Sequence, residues 1–302
     1  MDDTANAAPL GTRHEVSGGA MLLHRSGTGG PSVVFLPGGG MSGLCYWNVH
    51  DLVAEFTTNV LYDRLGLGWS EAVDLPRSGT RVTDDLRELL RVAGVPGPYV
   101  LVGHSLGGLH ARLYAKRFPG EVAGLVLLDP THENIVDYLP EQAAQQFRNW
   151  NPDARFPSPE QIEVLRAGHR AAVARRLGDW PAGIREPLLD RVFGREQYVR
   201  SLREPMNLPD LFGEIHDAGP DPDLPVIIVS AMGSDTVAEE LAPSEDDSRA
   251  AQSNQGKHRL YTEVAAALPR GEIRRLDDTG HSTLVWNRPD AVVQAIRDVL
   301  SR

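Results

Sequence analysis

Residues 99–118 read YVLVGHSLGGLHARLYAKRF. Tyr99–Val102 is a continuous apolar run of strand character, and Leu106–Phe118 carries helical spacing, so a glycine-rich turn joins a strand directly to a helix. Within that turn, Gly103-His104-Ser105-Leu106-Gly107 fits G-x-S-x-G. So short a pattern recurs by chance; the strand before it and the helix after it give the match its weight. A serine on so sharp a turn is held in a strained backbone conformation, with its Oγ projecting from the end of the sheet. The helix N-terminus sets unpaired N–H groups and a positive partial charge beside the hydroxyl.

The same alternation extends on both sides. Ser32–Leu36 (SVVFL) and Asn59–Tyr62 (NVLY) read as strands, the first ending in Pro37-Gly38-Gly39-Gly40 and the second in Asp63-Arg64-Leu65-Gly66-Leu67-Gly68. Thr80–Val92 has helical spacing through Val82, Leu86, Leu89 and Leu90, and Val122–Leu128 (VAGLVLL) is a further strand that ends at Asp129-Pro130. Unbroken apolar strands separated by helices predict a parallel sheet covered on both faces. Residues 131–224 carry no strand signal: Glu141–Trp150, Pro159–Leu177, Ile184–Phe193 and Arg195–Leu202 read as helices broken by prolines. Strands return at Pro225–Ser230 and Glu272–Leu276, followed by a closing helix over Ala291–Leu300. Between those strands a polar loop is expected over residues 231–255, carrying Glu239, Glu240, Glu245, Asp246 and Asp247, and then a helix over Leu260–Leu268.

Composition narrows the function. The chain has 302 residues, 41% hydrophobic and 24% charged, which excludes a disordered or low-complexity chain. Its net charge of −11 argues against a general nucleic-acid binder, since phosphate contacts need clustered Lys and Arg. The single cysteine, Cys45, allows neither an internal disulfide nor a thiolate metal cluster. The N-terminus lacks the apolar core of a signal peptide, and no apolar run approaches the roughly 20 residues that span a bilayer. A soluble, cytoplasmic protein with a short loose N-terminal tail is the expectation, with no metal and no cofactor.

A serine needs a positioned base at neutral pH. Of ten histidines, His281 in Asp277-Asp278-Thr279-Gly280-His281 is best placed, on a loop after the last strand and therefore at the same end of the sheet as Ser105. His104 adjoins the serine but points away from it in such a turn and reads as packing at the pocket wall; His169 reads as a packed helix residue, and His110 and His132 as pocket-liners.

Gly103–Gly107 after a strand, Pro37–Gly40 after an earlier one, Asp63-Arg64-x-Gly-x-Gly-x-Ser70 and the late Gly280-His281 together resemble the α/β-hydrolase fold family, over about Val16 to Leu300. The resemblance implies a mostly parallel eight-stranded sheet covered by helices, with residues 1–130 and 225–302 as the core and residues 131–224 as an all-helical cap inserted after strand 6. It also implies an acid for His281. Asp129 follows the sixth strand, as in the family's minority arrangement; Asp235 follows the seventh, the commoner place, but stands farther from the strand end than usual. Asp129 is favoured and Asp235 is the alternative. The resemblance further places an oxyanion hole at the N–H groups of Leu106 and Gly39, with Gly38 as the second choice for the loop donor. Asp63 and Arg64 read as structural.

The cap region supplies Tyr138, Phe147, Trp150, Trp180, Phe193, Met206 and Phe212 as aromatic or apolar candidates for a pocket roof, and Trp47 is a candidate wall. From these the selected pocket residues are Trp47, His104, Tyr138, Trp150, Phe193 and Met206. The expected function is hydrolysis of a carboxylic ester or lactone of a bulky apolar or aromatic small molecule through an acyl-enzyme on Ser105. The alternatives are amide, thioester or C–C bond hydrolysis or acyl transfer on the same residues, and a ligand receptor with negligible turnover. No nucleic-acid or membrane partner is expected, and the oligomeric state is left open.

Overall fold

A computed structural model describes residues 7–237 and 247–302. Its strands are β1 (Thr12–Val16), β2 (Gly19–Ser26), β3 (Ser32–Leu36), β4 (Asn59–Tyr62), β5 (Tyr99–His104), β6 (Val122–Leu128), β7 (Val226–Ala231) and β8 (Gly271–Leu276). They form one eight-stranded sheet in the order β1-β2-β4-β3-β5-β6-β7-β8. The pairs β1–β2 and β2–β4 are antiparallel and the remaining pairs are parallel, which is the α/β-hydrolase fold. Every residue of β3, β4, β5 and β7 is buried, as unbroken apolar strands require when helices cover both faces. β8 is one of the two edges, and its polar residues blunt it: Arg274 pairs with Glu272 and Asp298.

The helices α1 (Trp47–Val53), α2 (Gly79–Val92) and α3 (Leu106–Arg117) alternate with the first strands. Between β6 and β7 the described secondary structure is helical throughout: α4 (Glu141–Arg148), α5 (Pro152–Arg155), α6 (Pro159–Arg176), α7 (Ala182–Val192), α8 (Arg195–Arg203) and α9 (Leu208–Asp217), with short 3-10 turns. This insertion has its own apolar cluster of Ile162, Leu189, Phe193 and Tyr198. It meets the sheet's helices where Leu211 and Ile215 of α9 pack on Leu106 and Leu109 of α3. The chain closes with α10 (Asp247–Ala267), α11 (Leu284–Asn287) and α12 (Pro289–Leu300).

Two expectations need correction. The N-terminal stretch read as a tail enters the sheet from Thr12, pairing with β2. The loop expected over 231–255 is shortened, because α10 starts at Asp247. That helical turn was hidden because residues 247–256 are almost all polar. Contact with the chain after β6 holds α10 in place: a Cβ at Gly256 would stand 1.9 Å from the Tyr138 carbonyl oxygen. Glu239, Glu240, Glu245 and Asp246 lie outside the described residues.

The turn after β5 depends on a similar approach. A Cβ at Gly107 would lie 2.0 Å from the Leu36 carbonyl oxygen, which is rigid backbone of β3. Gly107→Ala is therefore expected to destabilise by about 1–3 kcal/mol, the usual range for forced overpacking. Gly213→Ala, in the interior of α9 with open space around it, is expected to be neutral or to stabilise by about 0.5–1 kcal/mol. Urea unfolding of the two variants checks the contrast.

Candidate active site

The turn after β5 holds Ser105 at φ +52°, ψ −122°, a conformation that side-chain-bearing residues rarely adopt. Backbone bonds fix it there. Ser105 N–H donates to the Leu128 carbonyl at 3.1 Å, and the Ser105 carbonyl accepts from Gly108 (2.9 Å) and Thr131 (2.9 Å). The turn is thereby tied to the end of β6, whose next residue, Asp129, also has positive φ (+43°).

The structure brings Ser105, His281 and Asp129 together. His281 Nε2 lies 3.0 Å from Ser105 Oγ, and His281 Nδ1 lies 2.6 Å from Asp129 Oδ2. The Asp129 carboxylate accepts further bonds from Ala231 N–H (3.0 Å, Oδ1) and from Lys257 Nζ (2.7 Å, Oδ2). Burial alone would raise the Asp129 carboxyl; the Lys257 charge and the bonds from His281 and Lys257 outweigh burial and bring it down to about 2. Asp235 takes a different place. Its Oδ2 accepts from Ser282 N–H (3.0 Å) and Ser282 Oγ (2.8 Å), so it braces the loop next to His281.

His104 is buried beneath His281, their ring centroids 5.1 Å apart. Its Nε2 bonds the His281 carbonyl at 3.0 Å, which can only accept, so the proton sits on Nε2 and Nδ1 accepts from Tyr46 Oη at 2.7 Å. Burial, reinforced by His281, pushes the His104 ring down to about 3, so it stays neutral. Tyr46 Oη in turn accepts from Gly38 N–H at 3.0 Å.

That last bond corrects the expectation for Gly38, whose N–H is engaged. The loop is further held by an ion pair that sequence reading missed as a pair. Arg64 donates to the Pro37 and Gly38 carbonyls (2.6 and 2.7 Å) and to Glu204 (2.6 Å from Nε, 2.9 Å from Nη2). Glu204 comes from the insertion and also accepts from Gly40 N–H at 2.6 Å. Gly38 and Gly40 are thus occupied, whereas Gly39 N–H makes no hydrogen bond among the described residues. Gly39 lies against Leu106, the first residue of α3, whose own N–H has no partner within its helix.

Ser105 and His281 border two cavities. The first, about 400 Å³, is lined largely by apolar residues including Met41, Val173, Leu188, Phe193, Leu202 and Met206, with Gly38–Gly40 at one side. The second, about 310 Å³, is lined by Ile135, Leu139, Phe147, Phe212, His132 and Lys257 among others. Larger clefts beside Trp69 (about 590 Å³) and Tyr99 (about 850 Å³) contain neither Ser105 nor His281. Phe193, Met206 and His104 line the first cavity; Trp47, Tyr138 and Trp150 line neither. Trp47 packs edge-on against Trp180 at 5.3 Å, Tyr138 bonds Glu263, and Trp150 donates to the Met206 carbonyl at 2.9 Å, so Trp150 supports a wall residue from behind. No group of three or more His, Cys, Asp or Glu among the described residues is arranged to hold a metal ion. No described helix is long and apolar enough to cross a membrane.

The Arg64–Glu204 pair is buried at both ends, with side chains 3% and 7% exposed. Glu204→Ala leaves the guanidinium buried without its partner and is expected to cost about 3–5 kcal/mol in urea unfolding. The double variant Arg64→Met/Glu204→Leu is expected to recover most of that loss, because neither charge then remains unpaired.

Comparison with known proteins bears on the family and the fold. A model of the Alpha/beta hydrolase family matches residues 33–295. Among curated proteins, an uncharacterized fission-yeast protein (Schizosaccharomyces pombe) is 45% identical over 82 residues, 27% of this chain and 15% of that protein. The human (Lyso)-N-acylphosphatidylethanolamine lipase is 29% identical over 154 residues, 48% of this chain and 41% of that protein. The chain thus spans less than half the length of these curated relatives. Among solved structures, the enol-lactonase from Burkholderia xenovorans superposes with a TM-score of 0.60 at 19% identity, covering 96% of this chain and 100% of that one, a likeness of fold. With a strand–serine–helix turn at the carboxyl edge of a matching sheet and a family match over most of its length, the chain belongs to the alpha/beta hydrolase family.

Proposed function

We propose that the protein is a serine hydrolase that cleaves a carboxylic ester or lactone of a bulky apolar or aromatic small molecule. The observation that carries this reading is the unbroken chain from Ser105 Oγ through His281 to the buried Asp129, opening onto a largely apolar cavity. In the first step His281 Nε2 takes the Ser105 proton as Oγ attacks the carbonyl carbon. The carbonyl oxygen becomes an anion facing the N–H groups of Gly39 and Leu106. The intermediate collapses as His281 passes its proton to the leaving oxygen. Water, deprotonated by His281, then releases the acid and restores Ser105. Asp129 keeps the imidazole in the tautomer with its proton on Nδ1 and stabilises the imidazolium. Residues 131–224 act as the cap that walls both cavities, and Glu204 within it sets the Gly39 donor through Arg64 and Gly40.

An uncharged substrate is supported by the first cavity, whose lining among the described residues holds no Lys or Arg and so suits it better than a phosphorylated one. The test is steady-state hydrolysis of naphthyl and alkyl butyrates and of lactones of graded size. Ser105→Ala and Asp129→Asn are expected to lose on the order of a thousandfold or more in kcat. Asp235→Asn is expected to stay within about tenfold, since its carboxylate meets Ser282 rather than the imidazole. Equal losses in Asp235→Asn and Asp129→Asn would contradict the assignment of the acid. Absence of turnover by wild type across the panel would turn the reading to a receptor. The double variant Arg64→Met/Glu204→Leu is expected to fold yet lose about 10–100-fold in kcat, because the donor loop is no longer held.

A further inference from the structure

A serine–histidine–aspartate arrangement needs no lysine, yet Asp129 Oδ2 is shared between His281 Nδ1 (2.6 Å) and Lys257 Nζ (2.7 Å). Lys257 also donates to the Ala231 carbonyl at 2.9 Å, so its ammonium bridges the ends of β6 and β7. Its side chain is 14% exposed and borders the second cavity. The position is built. Gly256 lets α10 touch the Tyr138 backbone, and one turn after Lys257 the Tyr261 hydroxyl donates to the Pro130 carbonyl at 2.5 Å. Lys116 and Lys257 are the only lysines of this chain, whose other basic side chains are arginines apart from histidine. A compact ammonium on a flexible stem fits this corner, where its rotatable donors reach both the Asp129 carboxylate and the Ala231 carbonyl.

Geometry and charge together point to a role for this lysine. We propose that Lys257 is a positioning residue that keeps His281 neutral, and so able to accept the Ser105 proton, at lower pH than the histidine–aspartate pair would allow alone. Asp129 and Lys257 are opposite charges 2.7 Å apart, so together they bring no net charge to the imidazole. When His281 takes the Ser105 proton, an imidazolium forms within about 5 Å of an ammonium, a range in which like charges disfavour each other. The histidine is therefore a weaker base and a stronger acid. That favours return of its proton to a leaving alkoxide, the harder half of the reaction for esters of unactivated alcohols.

Among the described residues, Lys257 is the cation that hydrogen-bonds the carboxylate shared with His281. Facing His281 are Ser105 and the neutral His104 from β5, Asp129 from β6, Asp235 and its bond to Ser282 beyond β7, and Lys257 and Tyr261 on α10. From the insertion, His132 borders the second cavity, and His169 and Tyr198, bonded to each other, border the first. His258, beside Lys257, faces Ser230 instead, and Arg275 is paired with Asp277.

The inference rests on His281 being the base of the proposed hydrolase, but its test does not need turnover. Histidine-labelled protein is titrated by nitrogen NMR, with His281→Asn identifying the His281 signals. In Lys257→Met the pH at which His281 protonates is expected to rise by about one unit or more relative to wild type. The acid limb of kcat/KM for 2-naphthyl butyrate is expected to rise with it. Lys257→Cys supplies a charge-only comparison. Aminoethylation restores an ammonium and is expected to return the titration toward wild type; carbamoylmethylation adds a neutral group of similar length and is expected not to. Cys45 is buried with its thiol pushed up to about 12 by burial and Asp63, and wild type treated with the same reagents controls for it. Unchanged titration in Lys257→Met, or equal titrations in the two alkylated forms, would overturn the proposal and leave Lys257 a packing residue. Loss of ester turnover throughout, with the titration shift intact, would instead contradict the hydrolase reading alone.

Discussion

A carboxylate with no access to water must be paired by the protein on all sides or it will not stay ionised. Asp129 is such a group, and its partners are drawn from distant parts of the chain: Ala231 at the end of β7, Lys257 on α10 and His281 beyond β8. Parallel strands make this convergence possible, because β5, β6, β7 and β8 all deliver their carboxyl ends to one edge. Ser105 is fixed at that same edge by its bonds to Leu128 and Thr131. Displacing the end of β6 would therefore disturb the serine turn and the histidine loop together.

A second buried charge pair joins the insertion to the core. Arg64, on the loop after β4, and Glu204, between α8 and α9, enclose the Pro37–Gly40 loop from opposite sides. An ion pair removed from water contributes little net stability, but its hydrogen bonds leave few alternative geometries. The consequence is that the insertion lines the cavities and also constrains the backbone of the loop that faces Ser105. The spare N–H of Gly39 survives because its neighbours on both sides are already bonded.

How much of this was legible in the sequence follows from what each signal depends on. The central strands and the serine turn were readable because they are local: SVVFL, NVLY, YVLV and VAGLVLL are apolar apart from the leading Ser32 and Asn59, and the glycines mark where backbone approaches backbone. His281 and Asp129 could be placed near Ser105 by topology, since each follows a strand that ends at the same edge. Lys257 could not, because α10 is polar through its first turns and its position is fixed by a contact between Gly256 and Tyr138, far apart in sequence. Arg64 was legible as structural, but its partner Glu204 lies in the insertion and carries no local motif. The aromatic residues of the insertion were the least predictable: Met206 lines a cavity while Trp150 stands behind it, donating to its carbonyl, and neither position carries a local sequence signal.

The proposed hydrolase depends on Ser105 as a nucleophile activated by His281. Rapid mixing with a p-nitrophenyl ester, quenching in acid and intact-mass analysis test it directly. A burst of p-nitrophenol near one equivalent, with the acyl mass on the peptide containing Ser105 and neither signal in Ser105→Ala, is the expected result. Steady turnover without a burst, with no acyl mass on Ser105 at any quench time, and unchanged by Ser105→Ala, would contradict it.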